Sequence, residues 1–236
     1  MTDAQIPLFL NWSSGKDSSL ALYYLLKDNR YEVRCLLTSM NSAHDRVSMH
    51  GLRRRLLEAQ LKALNLPSKT IELPEVTDME TYGKKMKEAV RALRSEGLHY
   101  AAFGDIFLED LRIYREQQLA TEGIQALFPL WQRPTRELLE EFIDLGFKAV
   151  VICIDNSVLD ERFLGRTLDR SFLNDLPTGV DPCGENGEYH TFCYDGPIFQ
   201  EPIRFVQGER VYRSYPDPSG VEGQEKGFWF LDLLPA

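Results

Sequence analysis

The sequence lacks the features of several broad classes of protein. No apolar run approaches the length of about 20 residues that a membrane helix requires, and the polar start, residues 1–5, is not typical of a signal peptide. The chain has no excess of basic residues, and its net charge of −9 argues against a broad nucleic-acid surface. Its four cysteines form no C-x-x-C pair, which argues against a zinc knuckle or a redox dithiol. We therefore expect a cytoplasmic protein with reduced thiols that binds neither membranes nor nucleic acid.

Two common phosphate-binding loops are also absent. The Walker loop consists of a glycine, four further residues and then Gly-Lys-Ser/Thr, but here Leu10 stands at the first glycine position and Asp17 follows Lys16. The dinucleotide fingerprint G-x-G-x-x-G has no match at the same turn. A nucleotide site in this part of the chain must therefore use another kind of loop.

The chain does contain a serine-rich turn between an apolar strand and a helix. Residues 6–12 are apolar enough for a buried strand, and residues 20–26 have the pattern of a helix packed on it. The first turn of a helix has unpaired N–H groups and the positive end of the dipole, so an oxyanion binds there. The turn resembles the SGGxDS pyrophosphate loop of the N-type ATP pyrophosphatases, with Ser14 at the first glycine position. An ordinary N-capped helix is the alternative. The candidate nucleotide contacts are Ser13, Ser14, Gly15, Lys16, Asp17, Ser18 and Ser19.

Strands and helices alternate after this turn. The spacing indicates an α/β fold with a doubly wound, five-stranded parallel sheet. The resemblance of the turn to the pyrophosphatase loop implies that this sheet is Rossmann-like and of HUP type. After the first strand, the pattern predicts strands at residues 32–39, 69–73, 99–103 and 124–128.

The composition changes at residues 129–134, and the chain beyond them is rich in loops and prolines. We place an ATP pyrophosphatase domain at residues 1–131 and a smaller α+β substrate domain at residues 132–236. In the second domain the pattern predicts a helix around Leu138, a strand at 147–154 and short β-like runs at 189–194, 203–206 and 210–212.

Further candidate contacts follow from where the strands end. Ligands of parallel α/β sheets bind beyond the carboxyl ends of the strands, and Gly104-Asp105 ends the fourth strand. Leu37 and Met40, at the end of the second strand, are expected to flank the adenine, although core packing explains Leu37 equally well. His50, just before the next helix, is a candidate phosphate contact. Phosphate contact or a solvated helix face are the two interpretations of Arg53, Arg54 and Arg55.

A second group of polar residues lies at positions 181–192. Gly184 and Gly187 bracket a tight turn that presents Glu185, Glu188 and His190 within a few residues. Such a set could bind a substrate that bears an ammonium group, move protons or hold a metal. A surface hairpin with solvated charges is the alternative, since Asn-Gly favours such turns.

Four motifs taken together resemble the diphthine–ammonia ligase family. They are the serine-rich turn, Gly104-Asp105-Ile106, Phe128-Pro129-Leu130-Trp131, and the run from Gly184 to Phe192 followed by Asp195-Gly196-Pro197-Ile198-Phe199. The resemblance implies an ATP pyrophosphatase domain, a C-terminal domain that completes the cleft, and AMP-forming amidation of the diphthine carboxylate on elongation factor 2. Asp181-Pro182-Cys183 is similar to a bacterial branch, and a bacterial cell contains no diphthine. The predicted acceptor is therefore a carboxylate on a protein or a small molecule.

The resemblance also implies roles for individual residues. Lys16 would stabilise the leaving pyrophosphate, and Gly104 would let the nucleotide pass close to the sheet edge. Asp17 would hold Mg²⁺ or cap the helix, and Asp105 would contact Mg²⁺ or the ribose. Ammonia would come from solution or from a partner, and a homo-oligomer is left open. The predicted catalytic residues are Lys16, Asp105, Glu185, Glu188 and His190, the last three serving the acceptor or ammonia. Two alternatives remain, a tRNA-modifying ATP pyrophosphatase and a nucleotide-binding regulatory module without catalysis.

Overall fold

A computed structural model describes residues 4–75, 78–216 and 225–236, which form two β-sheets with helices packed on them. Most of the polar start, Met1-Thr2-Asp3, lies outside the described residues. The strands are β1 (Ile6–Asn11), β2 (Tyr31–Asn41), β3 (Arg46–Val47), β4 (Ser68–Leu73), β5 (Tyr100–Ala102), β6 (Gln125–Leu127), β7 (Lys148–Asp155), β8 (Tyr189–Asp195), β9 (Phe205–Pro216) and β10 (Glu225–Pro235). The helices are α1 (Lys16–Lys27), α2 (Arg54–Leu64), α3 (Met79–Ser95), α4 (Glu109–Ala120), α5 (Thr135–Asp144) and α6 (Arg170–Asp175), with a 3-10 turn at Glu161–Phe163. In this part of the chain, no helix combines the length and apolar character needed to cross a membrane.

The first sheet contains the five predicted parallel strands, in the order β4-β2-β1-β5-β6. The sheet also has a sixth strand, which the sequence did not predict. This strand, β3, pairs antiparallel with residues 40–41 at the end of β2. A strand of two residues is too short to show a period of its own.

Helices cover both faces of this sheet, as predicted. Leu8 and Leu10 of β1 pack in one apolar cluster with α1 and α2, whereas Phe9 between them packs in another with α3 and α4. All three side chains are fully buried. The continuous apolar run in β1 follows from this arrangement, because a central parallel strand has a core on each side.

The second sheet is antiparallel, with the strand order β8-β7-β10-β9. It corrects the sequence analysis twice. The predicted runs 203–206 and 210–212 belong largely to one long strand, β9, which continues through Gly208, and β10 was not predicted at all. β10 pairs with β9 on one side and with β7 on the other, so it is an interior strand of this sheet.

The two sheets share a hydrophobic core. The larger apolar cluster contains Leu8 and Leu22 from the first part of the chain together with Phe142, Ile152 and Phe192 from the second. The division into domains at residues 131 and 132 stays a prediction. What the shared core does establish is that β8 is held against the N-terminal end of α1.

Candidate active site

The serine-rich turn forms a cradle at the N-terminus of α1. Gly15 precedes the helix in an extended conformation, and Ser14 before it is left-handed, with φ of 70°. Glycine tolerates that conformation best, which agrees with a glycine at this position of the SGGxDS pattern. A Cβ on Gly15 would lie 3.0 Å from His50 Cε1 and 3.2 Å from the Thr191 carbonyl oxygen. Gly15 thus permits close contact with two distant segments of the chain.

A buried hydrogen-bond network anchors the cradle. The Ser14 carbonyl accepts from Cys193 N at 2.9 Å and from Gln60 Nε2 at 3.0 Å. Gln60 Nε2 also donates to the Cys193 carbonyl at 2.6 Å, and Gln60 Oε1 accepts from Trp12 Nε1 at 2.8 Å. Ser14 itself is fully buried, and its hydroxyl donates to the Ser13 carbonyl. Ser14 therefore supports the cradle from behind. We predicted that it contacts the nucleotide, but it does not line the cleft.

Two of the remaining serines line the cleft and one does not. Ser13 Oγ and Ser18 Oγ lie 3.1 Å apart at the cleft, and the Ser18 hydroxyl also donates to the Gly15 carbonyl at 3.0 Å. Ser19 is fully buried, and its hydroxyl donates to the Gly15 carbonyl at 2.8 Å. One residue further along a helix is a rotation of about 100°, which turns Ser19 toward the core and away from its predicted nucleotide contact.

Lys16 and Asp17 form an ion pair at the floor of the cleft. Lys16 Nζ lies 2.7 Å from both carboxylate oxygens of Asp17 and 5.4 Å from the centre of the Tyr189 ring. Burial opposes the charge of the ammonium group, but the Asp17 carboxylate outweighs it and raises the pKa of Lys16. A charged ammonium group suits phosphate oxygens. Asp17 does not cap α1, because Gly15 is the residue before the helix and no side chain caps it.

The second sheet contributes to the N-terminus of α1. Thr191 Oγ1 accepts a hydrogen bond from Lys16 N at 3.0 Å. Within the described chain, the next two backbone N–H groups, those of Asp17 and Ser18, donate to no acceptor. Two unpaired N–H groups at the positive end of a helix, beside a lysine, form a site for an oxyanion.

Gly104 and Asp105 follow β5 at the edge of the cleft. A Cβ on Gly104 would lie 2.9 Å from the Asp17 carbonyl carbon and 3.0 Å from Ser18 N. Helix backbone fills that space, so Gly104 allows the chain after β5 to pack on α1. Gly104 also lines the cleft, and its predicted role as a passage for the nucleotide stays a prediction. Asp105 lines the cleft, and its Oδ2 lies 2.9 Å from Arg115 Nε. These two atoms are buried, yet neither makes an aligned hydrogen bond within the described residues.

The end of β2 separates the two predicted adenine contacts. Leu37 and Ser39 line the cleft, and Leu37 also belongs to the apolar cluster under α3 and α4. Met40 is fully buried in the other cluster. Side chains alternate along a strand, so Leu37 and Ser39 face the cleft and Met40 faces the core. The predicted contact of Met40 with the adenine is therefore wrong, and Ser39 lies at the cleft instead.

His50 and His190 lie next to each other beside the cradle. Their ring centres are 4.7 Å apart, and His50 Nδ1 lies 3.3 Å from the Thr191 carbonyl oxygen. Burial, His190 and Lys16 lower the pKa of His50 to about 3. Burial and Lys16 lower the pKa of His190 to about 4. Both imidazoles are therefore neutral near pH 7 in the absence of a ligand.

The consecutive arginines do not reach the phosphate cradle. Arg53 pairs with Asp232 of β10, with 2.6 Å between Nη2 and Oδ2. Arg54 pairs with two surface carboxylates, and Arg55 is exposed. Of the two interpretations, phosphate contact is thus not supported for these residues.

The turn at residues 181–188 is held together by its own carboxylates. Asp181 Oδ2 accepts from Cys183 N and Glu185 N, each at 3.0 Å. The Glu188 carboxylate accepts from Asp181 N at 3.0 Å and from both Asn186 N and Asn186 Nδ2 at 2.9 Å. Glu188 is buried. Glu188 therefore fixes the turn. The prediction that it faces the cleft is wrong, and so is the alternative of a surface hairpin with solvated charges.

Glu185 is the residue of this turn that enters the cleft. Its Oε1 accepts a hydrogen bond from Ile106 N at 2.6 Å, which joins the turn to the loop after β5. Burial raises the pKa of Glu185 to about 7, and the nearby carboxylates of Asp17 and Asp105 contribute. A carboxyl group with this pKa can both accept and donate a proton near neutrality.

The cleft is built by both parts of the chain and encloses about 370 Å³. Its walls include Lys16, Leu37 and Asp105 from the first sheet and Glu185 and His190 from the second part. In residues 4–75, 78–216 and 225–236, no three His, Cys, Asp or Glu side chains cluster as a metal site would require.

Models of the two domains of diphthamide synthase match this sequence. The N-terminal domain model matches residues 8–125, and the C-terminal domain model matches residues 134–217. The chain belongs to the diphthamide synthase family. The phosphate cradle lies in the range matched by the first model and Glu185 in the range matched by the second, so the cleft of this family member draws on both.

The chain is also similar to curated proteins of the same family. The chain is 32% identical to the diphthine–ammonia ligase of Homo sapiens over 171 residues, covering 67% of this chain and 64% of that protein. The Bos taurus protein gives the same values, and the Saccharomyces cerevisiae protein is 25% identical over 225 residues, covering 80% of this chain and 33% of its own. The chain thus spans slightly less than two thirds of the length of the first of these relatives. A solved U34-tRNA thiolase from Methanococcus maripaludis aligns with a TM-score of 0.39 and 16% identity over 61% of this chain and 59% of its own, a likeness too weak to inform function.

Several site residues of this family member were not singled out as such from the sequence. Ser39 lies on a predicted strand, and Gln60 and Arg115 lie on helices between predicted strands. Nothing in a periodic pattern distinguishes a buried glutamine that bridges two sheets from one on a solvated face. Thr191 was noted only as part of the second polar group. The sequence feature that could have identified Thr191 is its position directly after His190 in a predicted strand.

Proposed function

We propose that this chain is an ATP-dependent ligase that forms AMP and pyrophosphate and amidates an acceptor carboxylate with ammonia. The observation that carries the proposal is the joint construction of the cleft. Thr191 and Glu185 of the C-terminal part meet the helix N-terminus and Lys16 at one place, beside two N–H groups that have no acceptor among the described residues. The names of the relatives support the same reaction. Ammonia from solution, a cytoplasmic location and an acceptor on a protein or small molecule belong to this proposal.

In the first step, a carboxylate oxygen of the acceptor attacks the α-phosphorus of ATP. The bond from that phosphorus to the oxygen bridging to the β-phosphorus breaks, and pyrophosphate leaves with the electron pair. We expect the N-terminus of α1, the hydroxyls of Ser13 and Ser18, and the ammonium group of Lys16 to bind the β- and γ-phosphates. The protein's contribution is positioning and charge neutralisation.

In the second step, ammonia attacks the acyl carbon and AMP leaves as the amide forms. The nitrogen loses a proton in this step, and a base must accept it. Glu185, with a pKa of about 7, is the group in the cleft suited to that task. His190 lines the same wall, and its pKa of about 4 makes it the weaker base of the two.

Magnesium would be held by Asp17 and Asp105 together with the substrate phosphates and water. The Asp105 carboxylate is paired with Arg115, with 2.9 Å between Oδ2 and Nε, so Mg²⁺ would compete with that guanidinium for it. Mg²⁺ commonly binds through one or two carboxylates and the phosphates of its substrate. When bound, it would neutralise phosphate charge.

Cysteine-dependent sulfur transfer, as in the tRNA-modifying alternative, is not favoured. All four cysteines are buried free thiols. Burial raises the pKa of Cys153 and Cys193 to about 12, so neither forms a nucleophilic thiolate near neutrality.

Product analysis tests the proposal. ATP labelled at the α-phosphate is incubated with the protein, ammonium and a cell extract as the source of acceptor, and the labelled products are separated. AMP is expected from the wild type and from Glu201→Gln, a control at an exposed residue, with strong loss in Gly15→Val. Labelled ADP, or no product dependent on the protein, would contradict the ligase and favour another ATPase or a binding module.

A further inference from the structure

The segment between β3 and α2 carries His50 to the cradle in an irregular conformation. Arg46 and Arg53 form an isolated antiparallel bridge that closes the segment, and between them Met49 and Gly51 adopt left-handed backbone with φ of 65° and 71°. His50 stands between these two residues, and its Cε1 is 3.0 Å from the position of a Cβ on Gly15. The place of His50 depends on how this segment, residues 46–53, is held.

Asp232 of β10 holds both ends of the segment. Its Oδ1 accepts from Arg46 Nη1 at 2.8 Å and from Arg53 Nε at 2.9 Å, and its Oδ2 accepts from Arg53 Nη2 at 2.6 Å. Arg46 Nη1 donates in addition to the Gly51 carbonyl at 2.7 Å. One carboxylate therefore fixes the two ends of the loop and, through Arg46, the residue directly after His50.

This arrangement differs from an ordinary surface ion pair. The Asp232 side chain is only 14% exposed and binds one guanidinium in bidentate fashion and a second at the same time. Charge-assisted and bidentate bonds of this kind are stronger and more directional than exposed pairs. The same strand supports the loop a second time, because a Cβ on Gly51 would lie 3.2 Å from the Phe230 ring.

We infer that Asp232 is a positioning residue that acts through Arg46 and Arg53 to hold His50 against the phosphate cradle. The inference rests on the proposed nucleotide site. Asp232 lies outside the ranges 8–125 and 134–217 that the family models match. The inference thus assigns a role in the site to the strand that the sequence analysis missed.

Removal of the Asp232 charge leaves two guanidinium groups side by side without a counter-ion. They repel each other and lose their anchor on β10. The backbone bonds from Val47 N to the Leu52 carbonyl and from Gly51 N to the Val47 carbonyl still join the two arms of the loop, so we expect the loop to shift as a unit and His50 to move relative to Gly15. A displacement of about 1 Å at such a site can cost up to about a hundredfold in rate. For Asp232→Asn we expect the KM for ATP to rise by roughly tenfold, with a smaller fall in kcat. The pKa of His50, freed from burial, should move up toward its ordinary value.

The test compares Asp232→Asn with Asp155→Asn, His50→Gln and the double variant Asp232→Asn/His50→Gln. Asp155 is a matched control, a buried carboxylate of the same sheet that pairs with Lys226. Two measurements are made on each full-length protein: the KM for ATP in AMP formation, and the pH titration of the histidine ring protons by NMR. We expect the raised KM and the shifted His50 titration in Asp232→Asn and not in Asp155→Asn, and we expect the double variant to match His50→Gln.

The inference is overturned if Asp232→Asn behaves like Asp155→Asn in both measurements, or if its effect adds in full to that of His50→Gln. Should Asp232→Asn not fold, Arg53→Gln removes the bidentate half of the contact at a more exposed residue and should shift the same two readouts in the same direction. If the wild type forms no AMP, the proposed function fails, but the titration of His50 still decides whether Asp232 positions it.

Discussion

Glu185 should make the stability of this protein depend on pH in a direction unusual for a carboxyl group. Its pKa is about 7 in the folded protein against an ordinary value of 4.5. Both states bind the proton below pH 4.5, but between pH 4.5 and about 7 the unfolded chain loses it first. The contribution of Glu185 is therefore fully present below pH 4.5 and is lost as the pH rises through 7.

The size of the effect follows from the same two values. At 1.36 kcal/mol per pH unit, the interval from 4.5 to about 7 corresponds to roughly 3 kcal/mol. The side chain is partly exposed, so solvent screening reduces our expectation to about 2 kcal/mol. Glu185→Gln mimics the protonated form and keeps an acceptor for Ile106 N, so it should equal the wild type near pH 4 and exceed its stability by about 2 kcal/mol at pH 8.

Urea denaturation of both proteins at pH 4, 6 and 8 measures this difference. Because the two proteins share every other titrating group, their difference isolates Glu185. The control is Glu201→Gln, an exposed residue for which we expect no pH-dependent difference. A gap between Glu185→Gln and the wild type that is the same at every pH, or a less stable variant at pH 8, would refute the reasoning.

Three further predictions concern the packing of the cradle. Gly104→Ala should cost about 1–3 kcal/mol, because its Cβ would meet the backbone of Asp17; thermal denaturation measures this, and an unchanged Tm would be inconsistent with the close contact. Gln60→Leu should cost roughly 1–3 kcal/mol in urea denaturation, since the Cys193 carbonyl loses its side-chain donor, the Ser14 carbonyl keeps only Cys193 N, and Trp12 Nε1 loses its acceptor. Thr191→Val removes the acceptor of Lys16 N and should cost about 1–2 kcal/mol by the same assay.

Matched controls separate these effects from the chemistry of the substitution. Gly83→Ala adds a methyl group in open space within α3 and should stabilise the protein by about 0.5–1 kcal/mol. Gln117→Leu and Thr121→Val change exposed residues of the same types and should lie within about 0.5 kcal/mol of the wild type. If the exposed variants lose as much as the buried ones, the proposed network around the cradle is not what stabilises it.

The parallel sheet was predictable because its strands carry their own signal. β1 reads as buried on both faces, and the glycine and serines after it mark the helix start, so the position of the cradle followed from the local sequence. β3 and β10 did not follow. β3 is defined by two residues of β2, and β10 is defined by its neighbours β7 and β9 rather than by a period of its own.

The site was predictable at the level of segments and less so at the level of side chains. Glu185 and Glu188 look alike in the sequence, yet one enters the cleft and the other fixes the turn, because backbone N–H groups of the turn surround Glu188 alone. Met40 and Ser39 are neighbours in a strand, so their side chains point to opposite faces of the sheet. The sequence did not show which of the two faces the cleft. Asp232 became part of the site only through contacts more than 170 residues away in sequence.

The most direct test of the central claim is the stoichiometry of AMP, pyrophosphate and amide. The protein is supplied with ATP, ¹⁵N-ammonium and a cell extract, and mass spectrometry measures ¹⁵N incorporated into protein and small-molecule amides while AMP and pyrophosphate are quantified in the same sample. The account predicts one AMP and one pyrophosphate for each ¹⁵N amide formed, with all three lost in Gly15→Val. Incorporation of ¹⁵N without AMP, or ATP consumption that yields ADP, would contradict it.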